Sequence, residues 1–469
     1  MRYGVQFAVV IILARILHPA DFGMLAMLLV FTTFSALLVE GGLSTALVQK
    51  QNSSVNDETS VFLINLAMGF MLAVLLWMLA PAVAEFYAQP VLAPLLQLLL
   101  CVVPLGALAA VPNAVLSRRL DFRRRAVAEM VASPGSAALA LWLAWQGHGV
   151  WSLAWQAVAG ATLRALMLWS LSGWWPRGRF DQQAFNGLFR FGGFLLLANT
   201  LNLASLRLQS LLIGRLFDAR ELGFYAMAQD TQQAPAQFMS SLLNRVGFPV
   251  FSAVAGQPDK LTGALRLSLR LSMFVFVPCM MGISAVSQPL VLVLYGPEWM
   301  PVGPLLCVLA LAASFWPLHV LNLAAIGARG RSDLVLRLEV AKALVSIPLI
   351  LIACPFGVMA VALAVLVSSL VSVGINTWYS HKLLRFGLHV QLLEVLPIFL
   401  LSLVATGSAW LVSSFATSAV AALASAVIVA VVVYFLIAVV FRVRAWNDLV
   451  DFLRMLRSDK QLESRSEEA

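Results

Sequence analysis

Apolar residues along this chain come in runs of about twenty, separated by short polar connections, and the runs do not alternate. About twenty residues, rising 1.5 Å each, cross a ~30 Å hydrocarbon layer as a helix. Inside a bilayer every backbone N–H and C=O needs a partner within its own segment or barrel, so unalternating runs select helices over a β-barrel. The pattern predicts fourteen helices, over 3–17, 22–47, 58–80, 91–116, 127–146, 149–171, 191–216, 222–250, 263–294, 302–326, 334–353, 358–380, 393–413 and 418–441. Two of them, 222–250 and 263–294, contain Pro235 and Pro278 and are expected to kink there. The expected fold is an all-α, polytopic membrane protein.

Composition agrees. Of 469 residues, 61% are hydrophobic and 11% charged, and the mean hydropathy is +0.90. Soluble domains carry roughly 25% charged residues, so the bilayer is the solvent for this chain. The net charge of +9 changes meaning once it is mapped onto the connections. With a cytoplasmic N-terminus, the even-numbered connections should be basic. They hold Lys50, the run from Arg118 to Arg125, Arg177 and Arg179, Lys260, Arg329 and Arg331, and Lys382 and Arg385. The tail adds Arg442 and Arg444, whereas the odd-numbered connections hold Arg220 alone. Both termini are therefore expected on the cytoplasmic side of a bacterial inner membrane. The basic excess calls for membrane lipids rather than a nucleic-acid partner.

An internal repeat divides the chain. Ile11–Met27 aligns with Leu211–Met227, matching Arg15 with Arg215, Gly23 with Gly223, Ala26 with Ala226 and Met27 with Met227, while Asp21 and Glu221 keep their charge. Further on, Pro81 and Tyr87 answer Pro289 and Tyr295, and Pro94-Leu-Leu answers Pro304-Leu-Leu. The implied domains are an N-lobe over 1–172, a C-lobe over 188–380, a two-helix extension over 390–441 and a cytoplasmic tail over 442–469. Six helices per lobe make the repeats parallel. Paired lobes with a cavity between them suit alternating access. Helix 7 begins near Phe191, which would put its counterpart about nine residues before Met1, and the first helix spans only ~22 Å before Arg15. A longer N-terminus is expected.

The chain shows no constellation for covalent chemistry. It has no GxxxxGK and no HExxH, and its five histidines are scattered. Cys101, Cys279, Cys307 and Cys354 fall singly, as packed thiols rather than metal ligands. Catalytic residues, metal and cofactor are not expected, nor is enzyme activity.

Polar residues inside helices carry more information, because ionisable groups at membrane depth are costly and face a cavity or a partner. Helix 7 holds Asn199, Asn202, Arg207 and Gln209, and helix 8 holds Gln229, Asp230, Gln232, Gln233 and Gln237. Gln229, Gln233 and Gln237 share one face at i, i+4, i+8. Arg207, ~24 Å above the inner boundary, and Asp230, ~12 Å below the outer one, reach a common depth in a span of ~35 Å. They read either as a structural ion pair or as part of a hydrophilic surface for a sugar cargo. The first lobe has Leu29 and Val30 where the second has Gln229 and Asp230. Arg164, Arg245, Arg266 and Arg270 occupy the inner third of their helices, either snorkelling to headgroups or lining a vestibule for pyrophosphate. Glu339 and Lys342 form an i, i+3 pair near the same level. Asp230 and Glu40 are the candidates for a coupling ion.

The stretches LARILHPADFGMLAM, Glu40–Gln49, LLIGRLFDARELGFYA, Phe248–Ser252 and Tyr295–Trp299 with Pro304-Leu-Leu together resemble the polysaccharide transporter family. That family includes Wzx-type and colanic acid exporter-like flippases, within the multidrug/oligosaccharidyl-lipid/polysaccharide superfamily. The resemblance covers nearly the whole chain. One departure is Gln209, where the family often has an Asp. The resemblance implies a MATE-like pair of lobes and transfer of undecaprenyl-pyrophosphate-linked oligosaccharide from the cytoplasmic to the periplasmic leaflet, for exopolysaccharide, capsule or O-antigen (lipopolysaccharide) synthesis. The implied partners are the lipid-linked oligosaccharide, membrane lipids and polysaccharide polymerase or export machinery. Two alternatives stay open: a cation-coupled multidrug or lipid II exporter of the same superfamily, and a polysaccharide polymerase or glycosyltransferase. The second would call for a large periplasmic loop, and no odd-numbered connection exceeds about ten residues.

Overall fold

The computed structural model describes residues 2–40, 47, 54–182, 196, 200–201, 203–204, 207–254, 256–329, 332–451 and 454. These are helical almost throughout, and no strand occurs among them. In chain order the helices are α1 (Arg2–Ala14), α2 (Pro19–Glu40), α3 (Val55–Phe86), α4 (Leu92–Leu99), α5 (Val102–Arg118), α6 (Phe122–Trp145) and α7 (Val150–Ser172), then α8 (Ala219–Ala253), α9 (Pro258–Ala285), α10 (Ser287–Leu294), α11 (Val302–Ala313), α12 (Trp316–Ala328), α13 (Ser332–Ala353), α14 (Val358–Leu384), α15 (Leu388–Ser413) and α16 (Ala419–Val440). Among the described residues nine spans are long and apolar enough to cross a membrane. The chain is a multi-pass membrane protein. The expected helix over 191–216 lies largely outside the described residues; 207–216 are helical.

Helix ends follow local chemistry. Ser54 caps α3 through a capping box in which its hydroxyl accepts from the Asp57 amide (3.1 Å) and the Asp57 carboxylate accepts from the Ser54 amide (2.7 Å). Asp121 caps α6 through the Arg124 amide at 3.0 Å.

Three long apolar runs that periodicity treats as single helices are each interrupted. The breaks fall at Leu100–Cys101, Val286 and Ser314–Phe315, and each lies two to four residues before a proline, namely Pro104, Pro289 and Pro317. A proline has no N–H for the carbonyl four residues before it, and its ring clashes with that carbonyl. The helix assigned through Pro278 ends at Ala285, and a separate short helix follows from Ser287. Pro235 likewise lies within the unbroken α8.

The chain forms two compact units, Met1–Met227 and Ala228–Ala469. In the first, α6 and α7 pack closely because α6 presents a small-residue stripe, Ala128, Ala132, Ser136, Ala137, Ala140 and Ala144, all buried. Between helices in lipid there is no hydrophobic driving force, so such close backbone approach and its dispersion energy carry the packing. A second close approach joins α2 to the start of α8. A Cβ on Gly23 would lie 1.6 Å from the Ala219 carbonyl oxygen, and one on Gly223 would lie 1.9 Å from that of Pro19. The repeat-related glycines thus meet each other, and only hydrogen fits between the backbones.

The second unit is built around α9. Leu261, Leu265, Leu269, Met273 and Val277, spaced by four, are fully buried against residues of α12, α14, α15 and α16. The two C-terminal helices are therefore integral to this unit.

Candidate functional site

The second unit contains an apolar pocket of about 440 Å³ walled by α9, α10, α15 and α16. It exists because the facing positions are small. Ala405 and Ala409 on α15 oppose Ala426 and Ala430 on α16, and Gly282 on α9 has no neighbour within 4 Å of where a Cβ would stand. Its polar atoms are already satisfied: the Tyr434 hydroxyl donates to the Phe274 carbonyl (2.7 Å) and the Thr406 hydroxyl to that of Ser402 (2.7 Å). The lining therefore offers hydrocarbon to a ligand.

An ionic cluster stands beside the residues that line this pocket. Phe274 lines it, and one turn earlier on α9 stands Arg270, whose Nη1 donates to Glu394 Oε2 at 3.0 Å. Arg266, a further turn back, places Nε 3.3 Å from Glu394 Oε1 and lies over the Phe386 ring, 5.4 Å from its centroid. Arg270 Nε also lies 2.7 Å from Asp448 Oδ2, an ion pair without an aligned hydrogen bond. Asp448 belongs to helical residues 444–451, which fold back beneath α16. In that segment Leu449 lines the pocket, and Trp446 packs against Phe274 and Phe435, with centroids at 6.4 and 5.9 Å.

Of the other residues singled out from the sequence, Arg164 is paired with Glu129 at 3.1 Å, and Lys342 donates to Glu339 at 2.9 Å. Arg207 is half-buried in the first unit, and neither it nor Asp230 is without an interaction partner. Nearby Gln209 accepts a short hydrogen bond from the buried Tyr225. On α8, in the second unit, Gln229 and Gln233 are half-buried while Asp230 and Gln237 are exposed. Next to Asp230, Thr231 bonds the Tyr295 hydroxyl at 2.8 Å. Burial raises the Tyr295 phenol to about 12, and the Asp230 carboxylate pushes in the same direction. The side chains of Arg245 and Glu40, the residues Asn199 and Asn202, and most of Phe248–Ser252 lie outside those described.

Sequence reasoning missed Glu394, Asp448 and the pocket. Glu394 carried a usable signal, since it is an acid one turn into an otherwise apolar helix. The pocket had none, because it depends on which small residues face one another. A buried network close to Glu394 on α15 was also missed: Asn322, fully buried, donates to Gln391 (2.9 Å) and accepts from Ser380 (2.6 Å).

Residues 12–304 match the family described as "Polysaccharide biosynthesis protein". The chain belongs to that family. Among curated proteins it is 33% identical over 310 residues to the succinoglycan biosynthesis transport protein ExoT of Rhizobium meliloti (strain 1021), a stretch covering 66% of this chain and 63% of ExoT. It is 26% identical over 393 residues to the lipopolysaccharide biosynthesis protein WzxC of Escherichia coli (strain K12), covering 81% of this chain and 77% of WzxC. The match to ExoT thus spans less than two thirds of that relative's length. Among solved structures, the inward closed lipid II flippase MurJ aligns with 96% of this chain and 99% of its own, with a TM-score of 0.77 at 15% identity. An inward-facing MATE family transporter of the MOP superfamily aligns with 82% and 94%, with a TM-score of 0.63 at 14% identity. At those identities the likeness is one of fold.

Proposed function

We propose that this member of the polysaccharide biosynthesis protein family is a flippase. On this reading it moves a polyprenyl-pyrophosphate-linked oligosaccharide from the cytoplasmic to the periplasmic leaflet of a bacterial inner membrane, without covalent chemistry. The observation that carries the reading is the pocket. It offers hydrocarbon to a lipid chain, and two arginines able to meet phosphate oxygens stand one and two turns before its lining residue Phe274. Fold likeness to MurJ and family membership support it. The basic connections orient the chain with both termini cytoplasmic, which puts Arg266 and Arg270 at the leaflet where such lipids are made.

The sugar moiety needs a different surface. Gln229, Asp230, Gln233 and Gln237 line one side of α8, and Arg207 of the first unit is a further candidate. Exposing a charge to lipid at that depth costs ~2.5–3.5 kcal/mol on insertion scales, so an aqueous setting is favoured for Asp230. Rocking of two repeated lobes, 1–172 and 188–380, would then expose this surface to each side in turn. Helices over 390–441 add the wall for the lipid chain. Asp230 and Glu40 are the acids proposed for ion coupling.

The test is leaflet access. In cells lacking the protein, lipid-linked glycan should accumulate out of reach of an impermeant glycosidase added to spheroplasts, and the wild-type chain should restore cleavage. Gln233→Leu should leave the protein inserted and reduce cleavage. Unchanged access in the null strain would remove the flippase reading.

A further inference from the structure

We propose that Asp448 stands in for the phosphate of an isoprenyl-phosphate lipid on Arg270, and that the arriving lipid displaces helical residues 444–451 from the pocket. The proposal rests on the reading of the pocket as a lipid-chain site and adds to it a phosphate site and a displaceable closing segment.

Three observations converge on it. Arg270 is shared between two acids of different standing. Glu394 holds it through an aligned hydrogen bond at 3.0 Å from the body of the unit. Asp448 holds it at 2.7 Å through an unaligned ion pair from the segment after α16, which Ala445, Trp446 and Leu449 pack onto the unit's core. A phosphate offers more charge and more acceptor oxygens than one carboxylate, so it competes well for a guanidinium fork. Arg266, a helical turn away, has a side chain 43% exposed and can join it.

The same segment also closes the pocket, because Leu449 lines the cavity one position after Asp448. Displacing the carboxylate therefore moves an apolar side chain out of the lipid chain's way.

Lipid phosphate, rather than free phosphate, is the ligand because Arg270 stands one turn from Phe274 and Asp448 adjoins Leu449, both of which line the hydrocarbon pocket. Neither half alone should suffice. A polyprenol fills the pocket without competing for Arg270, and inorganic pyrophosphate competes without the chain that holds it there.

The experiment uses the full-length chain in nanodiscs with two mass-spectrometric readouts. Cys279 lines the pocket and is exposed, so protection of its thiol from an apolar maleimide reports the lipid chain, with exposed Cys101 as reference. Hydrogen exchange over residues 444–451 reports the closing segment. Polyprenyl phosphate should protect Cys279 and speed that exchange about fivefold to tenfold, as expected for losing a partly buried ion pair. Polyprenol should protect Cys279 without changing exchange, and inorganic pyrophosphate should do neither. Asp448→Asn should show fast exchange without ligand and bind polyprenyl phosphate more tightly. Arg270→Gln should abolish the preference for polyprenyl phosphate over polyprenol. Protection of Cys279 with unchanged exchange overturns the displacement and leaves the chain site standing. No protection overturns both. Equal opening by phosphatidylglycerol overturns the assignment to an isoprenyl phosphate.

Discussion

The two units each carry an ionic cluster that ties distant helix ends together, and the clusters are built to opposite specifications. In the first unit one acid sits at the centre. Glu58, near the start of α3, accepts from Arg118 at the end of α5 (3.0 Å) and from the Trp174 indole (2.8 Å). The loop after α7 then lies along the first turn of α3, with its Gly178, Arg179 and Asp181 amides donating to Thr59, Asn56 and Ser60 at 2.8–3.0 Å. Every partner here belongs to the body of the unit. In the second unit the centre is a pair of arginines, and one of their two acids comes from the segment after α16. A cluster centred on a carboxylate with fixed donors is closed. One centred on guanidinium groups with a peripheral acid can exchange that acid for another anion.

Four substitutions sharpen or break this contrast. Glu394→Ala strips both arginines of their shared partner in a site where that carboxylate is 10% exposed, so stability should fall by about 4 kcal/mol. Thermal unfolding in detergent should show it, and replacing Arg266, Arg270 and Glu394 together by Leu or Met should restore the midpoint. If the triple replacement unfolds as readily as the single one, the loss came from packing and not from stranded charge. Gly23→Ala probes rigidity in the first unit, where the added methyl meets the Ala219 carbonyl. About 3 kcal/mol should be lost by overpacking, with Gly223→Ala similar, and an unchanged midpoint for either would mean that the close crossing does not persist in the membrane.

Smaller effects separate the clusters themselves. Glu58→Gln keeps an acceptor for one donor and removes the charge, and should cost about 2 kcal/mol. Limited proteolysis should then cut the loop over 173–181 sooner. Asp448→Asn should cost less than about 1 kcal/mol, because its pair is partly exposed and unaligned. Equal losses from Glu58→Gln and Asp448→Asn would abolish the distinction between a closed cluster and an exchangeable one.

Some of this was readable one residue at a time. The i, i+4 spacing of Arg266 and Arg270 puts them on one face of α9, and the loop landmarks of the repeat put Gly23 in register with Gly223. The three helix interruptions each precede a proline, yet Pro81, Pro134, Pro278 and Pro397 lie inside unbroken helices, so the prolines alone do not mark them. The partners of the arginines were not readable. Glu394 is 124 residues from Arg270, and nothing along the chain pairs that acid with that arginine rather than with another. The polar residues of α8 were visible at once, yet their spacing does not say what they face.

Membrane class, the positions of the helices and the family's loop landmarks were determined by the sequence alone. The physical reason is that transfer of a helix into lipid is a sum over its own ~20 residues, with every backbone hydrogen bond made inside the segment. The pocket, the Glu394 clamp and the exchangeable contact of Asp448 were decided only by the tertiary structure. Between helices already in lipid no hydrophobic force selects a partner, so which side chains meet is set by shape, by small residues such as Ala405 and Ala426 that leave room, and by charges brought together from far apart in the chain.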